Sequence, residues 1–382
     1  MRASLVAFLV ALPTLPLAAQ APPRWSLASE LRIGADAPGP EYEFTTIRHI
    51  AIGPNGAMYV TQGQEQEIRA YDAQGKYLRT IGRQGGGPGE FTGLGSIGFM
   101  GDTLYTTDFR QRRITLFRSD GSLITTIVAE LFELPRGIDS VFFRPSPQVL
   151  LPDGSALGSA GYASHLVANG QITAAPIYRM TRTARVQDTL AWVPVGSGQG
   201  SIQSGTTALF FTQPISDAPM SVLAPAARRL YVVERPARSG SSAFRVTAIS
   251  DRGDTLWRRS YPYRPLPVGP GVADSILNVA VKRYTGGRAG FTADQVKKAV
   301  FIPDHQVTIT LAFAAEDGSL WLRREAFGAV HTWTVIAPDG AIAATLSLPP
   351  NVRPMTVIRD TAWGVEMDDL DVPLLVRYRI RK

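Results

Sequence analysis

The sequence predicts an all-β protein, a six-bladed β-propeller built from four-stranded antiparallel blades. Three observations lead to this prediction. The chain repeats about every 40–50 residues, each repeat contains four short segments of alternating hydrophobicity, and Gly-containing turns separate those segments. Repeats of this length with four strands each are typical of propellers.

Composition supports a globular protein and excludes several classes of site. Of the 382 residues, 45% are hydrophobic and 19% are charged, so the chain can bury a core and is not intrinsically disordered. It contains no Cys, which excludes a disulfide scaffold and a thiol nucleophile. The net charge is +7, but the basic residues are spread along the chain, which argues against nucleic-acid binding.

The N-terminus has the pattern of a secretory signal peptide. Arg2 precedes an apolar run over residues 5–12, and small residues follow at 18–21. The run is too short to cross a bilayer as a helix. We therefore predict a signal peptide at 1–21, a mature propeller over 22–382 and a secreted or periplasmic location.

The first two repeats are the clearest. Tyr59 and Tyr105 lie 46 positions apart, as do Gly75 and Gly121. Both glycines end turns between alternating segments, where positive φ is needed and a Cβ would clash. These repeats predict blades at residues 48–81 and 97–128.

The remaining blades follow in order, at residues 147–194, 219–262 and 306–348, with a sixth from Arg353. The third is degenerate, with residues 161–175 as an enlarged loop. The sixth ends after three strands, and we expect residues 25–33 to supply its missing strand. This pairing would close the ring and remove two open strand edges.

Residues 265–304 interrupt the strand pattern between blades four and five. Val272, Ile276, Val279 and Ala280 recur at helical spacing. Residues 292–295 have the form of a helix N-terminal capping box. The segment is predicted to be a helical insertion, either a cap over the channel or a surface elaboration.

At residues 85–91 (GGGPGEF), 104–108 (LYTTD) and 113–117 (RITLF), the chain resembles an NHL repeat. The whole is similar to secreted bacterial six-bladed propellers of the NHL and TolB-like kind. The resemblance implies the propeller fold and the binding of a protein or small ligand. Lactonases and lyases also use this fold, so fold similarity does not choose among these functions.

One face of the predicted ring collects the loops on which function usually depends. Six candidate residues fall there: His49, Asp108, Glu234, His305, His331 and Glu366. The carboxylates could bind a cation or a basic partner, or each could accept backbone N–H bonds in its own loop. The imidazoles could ligate a metal or act as a general base.

The last blade carries the densest acidic segment, with Glu366, Asp368, Asp369 and Asp371. Oxygen-rich clusters suit Ca²⁺, although the spacing departs from that of an EF-hand. A solvated acidic loop is the alternative. No other cofactor is expected.

Together these observations favour a monomeric, non-catalytic scaffold that binds an unidentified protein or small molecule at the channel face. No nucleic-acid partner and no membrane span are expected. The alternative is an enzyme with its site on the same face, such as a cation-dependent hydrolase, lactonase or lyase.

The aromatic residues at one repeat position, Tyr59, Tyr105, Tyr231, Trp321 and Trp363, are expected to pack between blades. We predict that Trp363→Ala lowers the free energy of unfolding by about 3–5 kcal/mol, the range for truncating a buried aromatic. Equilibrium denaturation measures this change. A loss below about 1 kcal/mol would place the side chain at the surface.

Overall fold

A computed structural model describes residues 21–382 apart from 35–36, 38, 130–143, 162–165, 168–169, 196–197, 205–206, 238–240, 265, 286–290 and 325–329. Within these residues the strands form six four-stranded antiparallel sheets and one two-stranded sheet. The six larger sheets are the blades of a six-bladed β-propeller, which confirms the predicted fold. The predicted signal peptide lies outside the described residues except for Ala21.

The strands follow the predicted order with small shifts in their bounds. The N-terminal strand is β1 (Ser26–Ile33), and a 3-10 turn follows at Pro40–Tyr42. Blade 1 consists of β2 (Ile47–Ile52), β3 (Met58–Gln62), β4 (Glu67–Tyr71) and β5 (Tyr77–Ile81). Blade 2 consists of β6 (Leu94–Met100), β7 (Thr103–Asp108), β8 (Arg113–Phe117) and β9 (Leu123–Val128). Blade 3 consists of β10 (Arg144–Leu150), β11 (Ala156–Gly161), β12 (Ala174–Met180) and β13 (Val186–Pro194).

The second half of the ring contains the insertions. A hairpin of β14 (Gln199–Ser204) and β15 (Thr207–Thr212) follows blade 3. Blade 4 consists of β16 (Met220–Ala224), β17 (Arg229–Glu234), β18 (Ala243–Ser250) and β19 (Thr255–Pro262). Helices α1 (Pro270–Thr285) and α2 (Ala293–Ala299) come next. Blade 5 consists of β20 (Ile309–Ala314), β21 (Leu320–Arg324), β22 (His331–Ile336) and β23 (Ile342–Leu348), and blade 6 of β24 (Val352–Ile358), β25 (Thr361–Met367) and β26 (Pro373–Arg381).

The ring is closed by the two ends of the described chain, as predicted. Strand β1 pairs antiparallel with β26 and becomes the outermost strand of blade 6. Just before it, the Trp25 amide donates to the Thr345 carbonyl on β23 at 2.9 Å, so this segment also joins blade 5 to blade 6. Because β1 pairs with the backbone N–H and C=O groups at the edge of β26, blade 6 has four strands like the other blades.

The first strand of each blade lines the central channel, and all six run in the same direction. One cavity of about 260 Å³ shows this common direction, because residues at or next to the end of every first strand line it. These residues are Ile52, Phe99, Leu150, Ala226, Ala314 and Ile358. We call the opposite end of the channel, where these strands begin, the entry face. Each second strand runs back and therefore ends at the entry face.

Aromatic side chains of the second strands connect neighbouring blades. Tyr59 of blade 1 donates its hydroxyl to the Ser119 carbonyl of blade 2 at 3.2 Å, and Tyr231 of blade 4 donates to the Gly318 carbonyl of blade 5 at 2.5 Å. Trp363 takes the equivalent position in blade 6 and is 7% exposed, in a cluster with residues of blade 1. The aromatic position of the repeat therefore serves inter-blade packing, as expected.

Both insertions lie on the entry face, since each connects a fourth strand to the next first strand. The predicted capping box is present, with reciprocal bonds between Thr292 and Gln295 at the start of α2. Helix α2 packs against the β14–β15 hairpin, and the Gln213 side chain donates to the Ala299 carbonyl at 2.9 Å. The sequence analysis assigned no strands to this hairpin. It is short and rich in Gly and Ser, so it carries little periodicity.

Ring closure predicts the effect of removing β1. A chain starting at residue 34 exposes the β26 edge and loses the bond to Thr345, so we expect a lower melting temperature and self-association through the open edge. Size-exclusion chromatography and thermal unfolding measure both effects. A matched chain starting at residue 22 keeps β1 and serves as the control. A shortened chain that stays monomeric with an unchanged melting temperature would contradict the closure.

Candidate functional site

Asp108 lies at the entry face, but backbone amides of its own loop and of the segment before β6 engage its carboxylate. One oxygen accepts from the backbone amides of Thr92 and Gly93 at 2.8 and 3.1 Å, and the other from those of Arg110 and Gln111 at 3.0 and 2.9 Å. The residue is 1% exposed. This is the turn-stabilising alternative of the sequence analysis, and it leaves no oxygen directed at a ligand.

The other two rim carboxylates pair with arginines of their own blades. The Glu234 carboxylate lies 3.3 Å from the Arg245 guanidinium. Glu366 lies 3.1 Å from Arg32 of β1 and accepts a bond from the Tyr378 hydroxyl at 3.1 Å. These contacts hold each carboxylate against a neighbouring strand.

The acidic segment of blade 6 is organised as a turn. Asp368 accepts from the amides of Leu370 and Val372, both at 2.8 Å, and Asp371 has a φ of 60°. Across the described ranges, no three His, Asp or Glu side chains are placed so that they could hold a metal ion. The geometry therefore gives no support to the calcium expectation for Glu366, Asp368, Asp369 and Asp371.

The histidines occupy separate positions. His331 is the first residue of β22 and 7% exposed, so it lies in a strand and not in the expected loop. His305 forms an isolated bridge with Pro267 beside the helical insertion. His49 lies within β2, on the channel. His165 lies outside the described residues.

Besides burial, the charges of Arg48 and Arg353 lower the pKa of His49, and the charge of Arg353 also acts on Arg323, so these groups lie near one another. Arg48 precedes His49 on β2, and Arg353 lies on the adjacent inner strand β24 of blade 6. Arg323, near the end of β21, adds a guanidinium from blade 5. We call Arg48, His49, Arg323 and Arg353 the arginine mouth.

The hydrogen-bond partners of the arginine mouth are neutral. Arg353 donates to the Ile47 carbonyl at 3.3 Å, and Arg323 donates to the Thr310 hydroxyl at 2.9 Å. In the described part of the chain, none of the three arginines forms an ion pair with a carboxylate. The positive charge of the mouth is therefore not neutralised by these residues.

Arginines between blades 3 and 4 show the contrasting arrangement. Arg179 and Arg228 lie 3.1 and 2.9 Å from the Asp153 carboxylate, and Arg228 also lies 2.5 Å from Asp251. The bonds that Asp153 accepts from Ser155, followed by the hydrogen bond and charge of Arg228, lower the pKa of Asp153. Other arginines, such as Arg113 and Arg229, donate to backbone carbonyls as the arginines of the mouth do.

Burial lowers the pKa values of His49, Arg323 and Arg353, and repulsion between like charges adds to this lowering for His49 and Arg323. Burial lowers the pKa of His49 to about 4, and the charges of Arg48 and Arg353 contribute to this lowering. Desolvation also lowers the pKa of Arg323 and Arg353, and for Arg323 the charge of Arg353 adds to the effect. An anion placed here would relieve the repulsion among these groups.

A cavity of about 310 Å³ opens at the mouth between blades 5, 6 and 1. Arg323 and Arg353 line it together with polar and apolar groups that include Thr45, Asn351 and Met367. Thr45 donates its hydroxyl to the Glu65 carboxylate at 2.8 Å, so a negatively charged group lies beside this lining residue. The cavity combines guanidinium donors with room for a small ligand.

The sequence does not single out the arginine mouth, because the basic residues are spread along the chain, where either a solvated surface or an anionic ligand would account for them. One signal was available: Arg48 and His49 stand side by side in a segment whose other residues, Ile47, Ile50 and Ile52, are apolar. Arg323 and Arg353 come from other blades, and their approach to His49 depends on ring closure.

The position of His49 predicts its titration. We expect its imidazole to titrate near pH 4 and to be neutral at pH 6, since burial and the charges of Arg48 and Arg353 oppose protonation. Because this pKa is below the unfolded value of about 6.5, the contribution of His49 to stability is complete above pH 6.5 and is lost as pH falls toward 4. NMR titration measures the pKa, with His49→Gln to assign the signal. Arg353→Gln should raise it, and a wild-type pKa near 6.5 would contradict the geometry.

Comparisons with known proteins agree with the architecture. Residues 40–135 match the family model described as a 6-bladed beta-propeller. A comparison with curated protein sequences gave no match. No helix among the described residues is long and apolar enough to span a membrane.

Solved structures are similar to this chain at low sequence identity. A member of the DUF4221 family from Bacteroides vulgatus is 10% identical, with 94% of this chain and 99% of that chain covered and a TM-score of 0.52. A gluconolactonase from Xanthomonas campestris is 12% identical, with 93% and 99% covered and a TM-score of 0.47. The PQQ-bound aldose sugar dehydrogenase from Streptomyces coelicolor is 15% identical, with 94% and 100% covered and a TM-score of 0.46. At these identities the similarity shows the fold alone. The chain is a six-bladed β-propeller.

Proposed function

We propose that this protein is an exported binding propeller that holds a small anionic ligand at the arginine mouth without transforming it. The observation that carries the proposal is that Arg323 and Arg353 line one cavity, with no carboxylate ion pair to either among the described residues, while Arg353 and Arg48 also act on His49. Export rests on the N-terminal signal-peptide pattern and on the absence of Cys.

The energetic argument concerns the cost of like charges held together. Guanidinium groups that are partly removed from water and repel one another raise the free energy of the folded state. Arg179 and Arg228, by contrast, are paired with the carboxylate of Asp153. A ligand that brings negative charge would offset this cost on binding.

The chemistry of the donors indicates the class of ligand. Arginine presents N–H donors in a fixed planar arrangement that matches carboxylate, phosphate and sulfate oxygens. His49, neutral above its low pKa, adds a donor or an acceptor without adding charge. The cavity of about 310 Å³ suits a small molecule rather than a folded partner.

Replacement of Arg353 tests the proposal. We expect the wild-type protein to bind phosphate or acetate in isothermal titration calorimetry, and Arg353→Gln to weaken binding by about 10-fold or more, the loss for removing a charged hydrogen-bond donor. Arg381→Gln changes the net charge equally at an exposed position on β26 and should bind as the wild type does.

Two results would contradict this function. One is the absence of measurable binding of either anion to the wild-type protein. The other is an equal loss of binding in Arg353→Gln and Arg381→Gln, which would show that net charge and not the arginine mouth attracts the anion.

A further inference from the structure

The cavity of about 310 Å³ at the arginine mouth is bounded by three kinds of surface. Arg323 and Arg353 supply guanidinium groups from blades 5 and 6. Thr45, which precedes β2 of blade 1, supplies a hydroxyl. Most of the remaining lining is apolar and consists of Ile47, Pro350, Val365, Met367 and Pro373. A ligand that fills this cavity therefore meets a cationic, a hydroxylic and an apolar surface.

The two guanidinium groups keep hydrogen-bond donors for a ligand. Arg323 donates its Nε–H to the Thr310 hydroxyl, and Arg353 donates from one terminal nitrogen to the Ile47 carbonyl. Among the described residues, Nη1 and Nη2 of Arg323 and Nε and Nη1 of Arg353 have no acceptor. Donors of this kind on two neighbouring guanidinium groups suit the oxygens of a carboxylate.

Thr45 can offer the cavity only a hydrogen-bond acceptor. Its hydroxyl hydrogen is donated to the Glu65 carboxylate, whose two oxygens lie 2.8 and 2.9 Å from Oγ1. A hydroxyl has one hydrogen, so Oγ1 is left to accept from a ligand. Glu65 forms no ion pair with any described residue. A positively charged N–H donor at Thr45 would therefore accept both the bond and the nearby negative charge.

The apolar surface is held in place by the strands of blade 6. Val365 on β25 pairs with Arg353 on β24, and Met367 lies two positions farther along β25, so these side chains share one face of the sheet. The Met367 amide donates to the Asn351 carbonyl at 3.0 Å, and the Asn351 side chain donates to the Met367 carbonyl at 2.9 Å. This part of the cavity is thus a fixed surface for an apolar group beside the guanidinium of Arg353.

We infer that the ligand is an α-amino acid with an apolar side chain. Its carboxylate binds Arg323 and Arg353, and its ammonium group donates to Thr45. Its side chain packs on the apolar surface. This inference rests on the proposed function, since the carboxylate is the anionic group that the arginine mouth holds, and it adds the chemical class of the ligand.

The same surroundings disfavour other small carboxylates. A second negative group, as in a dicarboxylate, would be repelled by Glu65. The hydroxyl groups of a sugar acid would lose hydrogen bonds with water against Val365 and Met367. A volume of about 310 Å³ lies at the small end of the range for ligand pockets, which fits a free amino acid.

The experiment titrates the mature protein, residues 22–382, with leucine and three matched analogues in isothermal titration calorimetry at pH 7. Isocaproate is leucine without the ammonium group, isoamylamine is leucine without the carboxylate, and glycine lacks the side chain. We expect leucine to bind about 10-fold or more tightly than isocaproate and isoamylamine, since each analogue loses charged hydrogen bonds. Glycine should also bind about 10-fold or more weakly, since it buries no apolar side chain.

Substitutions on blade 1 test the ammonium contact separately. Glu65→Gln removes the charge beside Thr45 and should weaken leucine about 10-fold, while isocaproate binds no more weakly than before. Thr45→Val removes the acceptor oxygen with little change of shape and should have the same effect, which gives a second test. Glu316→Gln makes the same charge change at an exposed position at the other end of the channel, and it should leave all four affinities unchanged. Circular dichroism establishes that each variant is folded.

The outcomes distinguish the amino-acid inference from the proposed function. Equal affinity for leucine and isocaproate, or an equal loss of leucine binding in Glu65→Gln and Glu316→Gln, would overturn the ammonium contact and leave the anion site standing. Glycine binding as tightly as leucine would overturn the apolar contact. Isoamylamine binding as tightly as leucine would overturn the carboxylate contact. No binding of leucine, isocaproate or acetate, with phosphate also unbound, would overturn the proposed function itself.

Discussion

The pairing of β1 with β26 is the constraint on which the rest of the structure depends. A propeller has no edge between its first and last blades only if one blade contains strands from both ends of the chain. Here β1 completes blade 6, and the Trp25 amide also bonds to blade 5. Without this pairing, blades 5, 6 and 1 would not keep fixed positions, and the side chains that they contribute to the channel would separate.

The contacts between blades make the closed ring a rigid frame. Second-strand tyrosines bury their rings between sheets and bond to the backbone of the next blade. Such contacts satisfy the buried hydroxyl and fix the spacing of neighbouring sheets. Side chains on the inner strands are therefore held in place without contributions from long loops, which suits a preformed binding site.

The entry face illustrates how acidic and basic residues take different roles in one fold. The carboxylate of Asp108 accepts four backbone bonds, and Glu234 and Glu366 pair with arginines of their own blades. The residues that the repeat position singled out therefore serve turns and strand packing. The arginines of the mouth have only neutral partners among the described residues, and they carry the charge that a ligand would meet.

The sequence by itself determined the number of blades, their order and the closing strand, because strand periodicity and turn glycines are local properties that repeat along the chain. It also identified the aromatic position between blades and the capping box of α2. The sequence did not predict the hairpin at Gln199–Ser204 and Thr207–Thr212, since the polar first strand (QGSIQS) and the apolar run of the second (TALFFT) both lack alternation. Only the tertiary structure decided the candidate site. Arg48 is separated from Arg323 and Arg353 by most of the chain. Closing the ring brings blades 5, 6 and 1, which carry these residues, together. The local sequence around each arginine does not differ from that of a solvated surface residue, so their approach depends on long-range geometry that no single segment encodes.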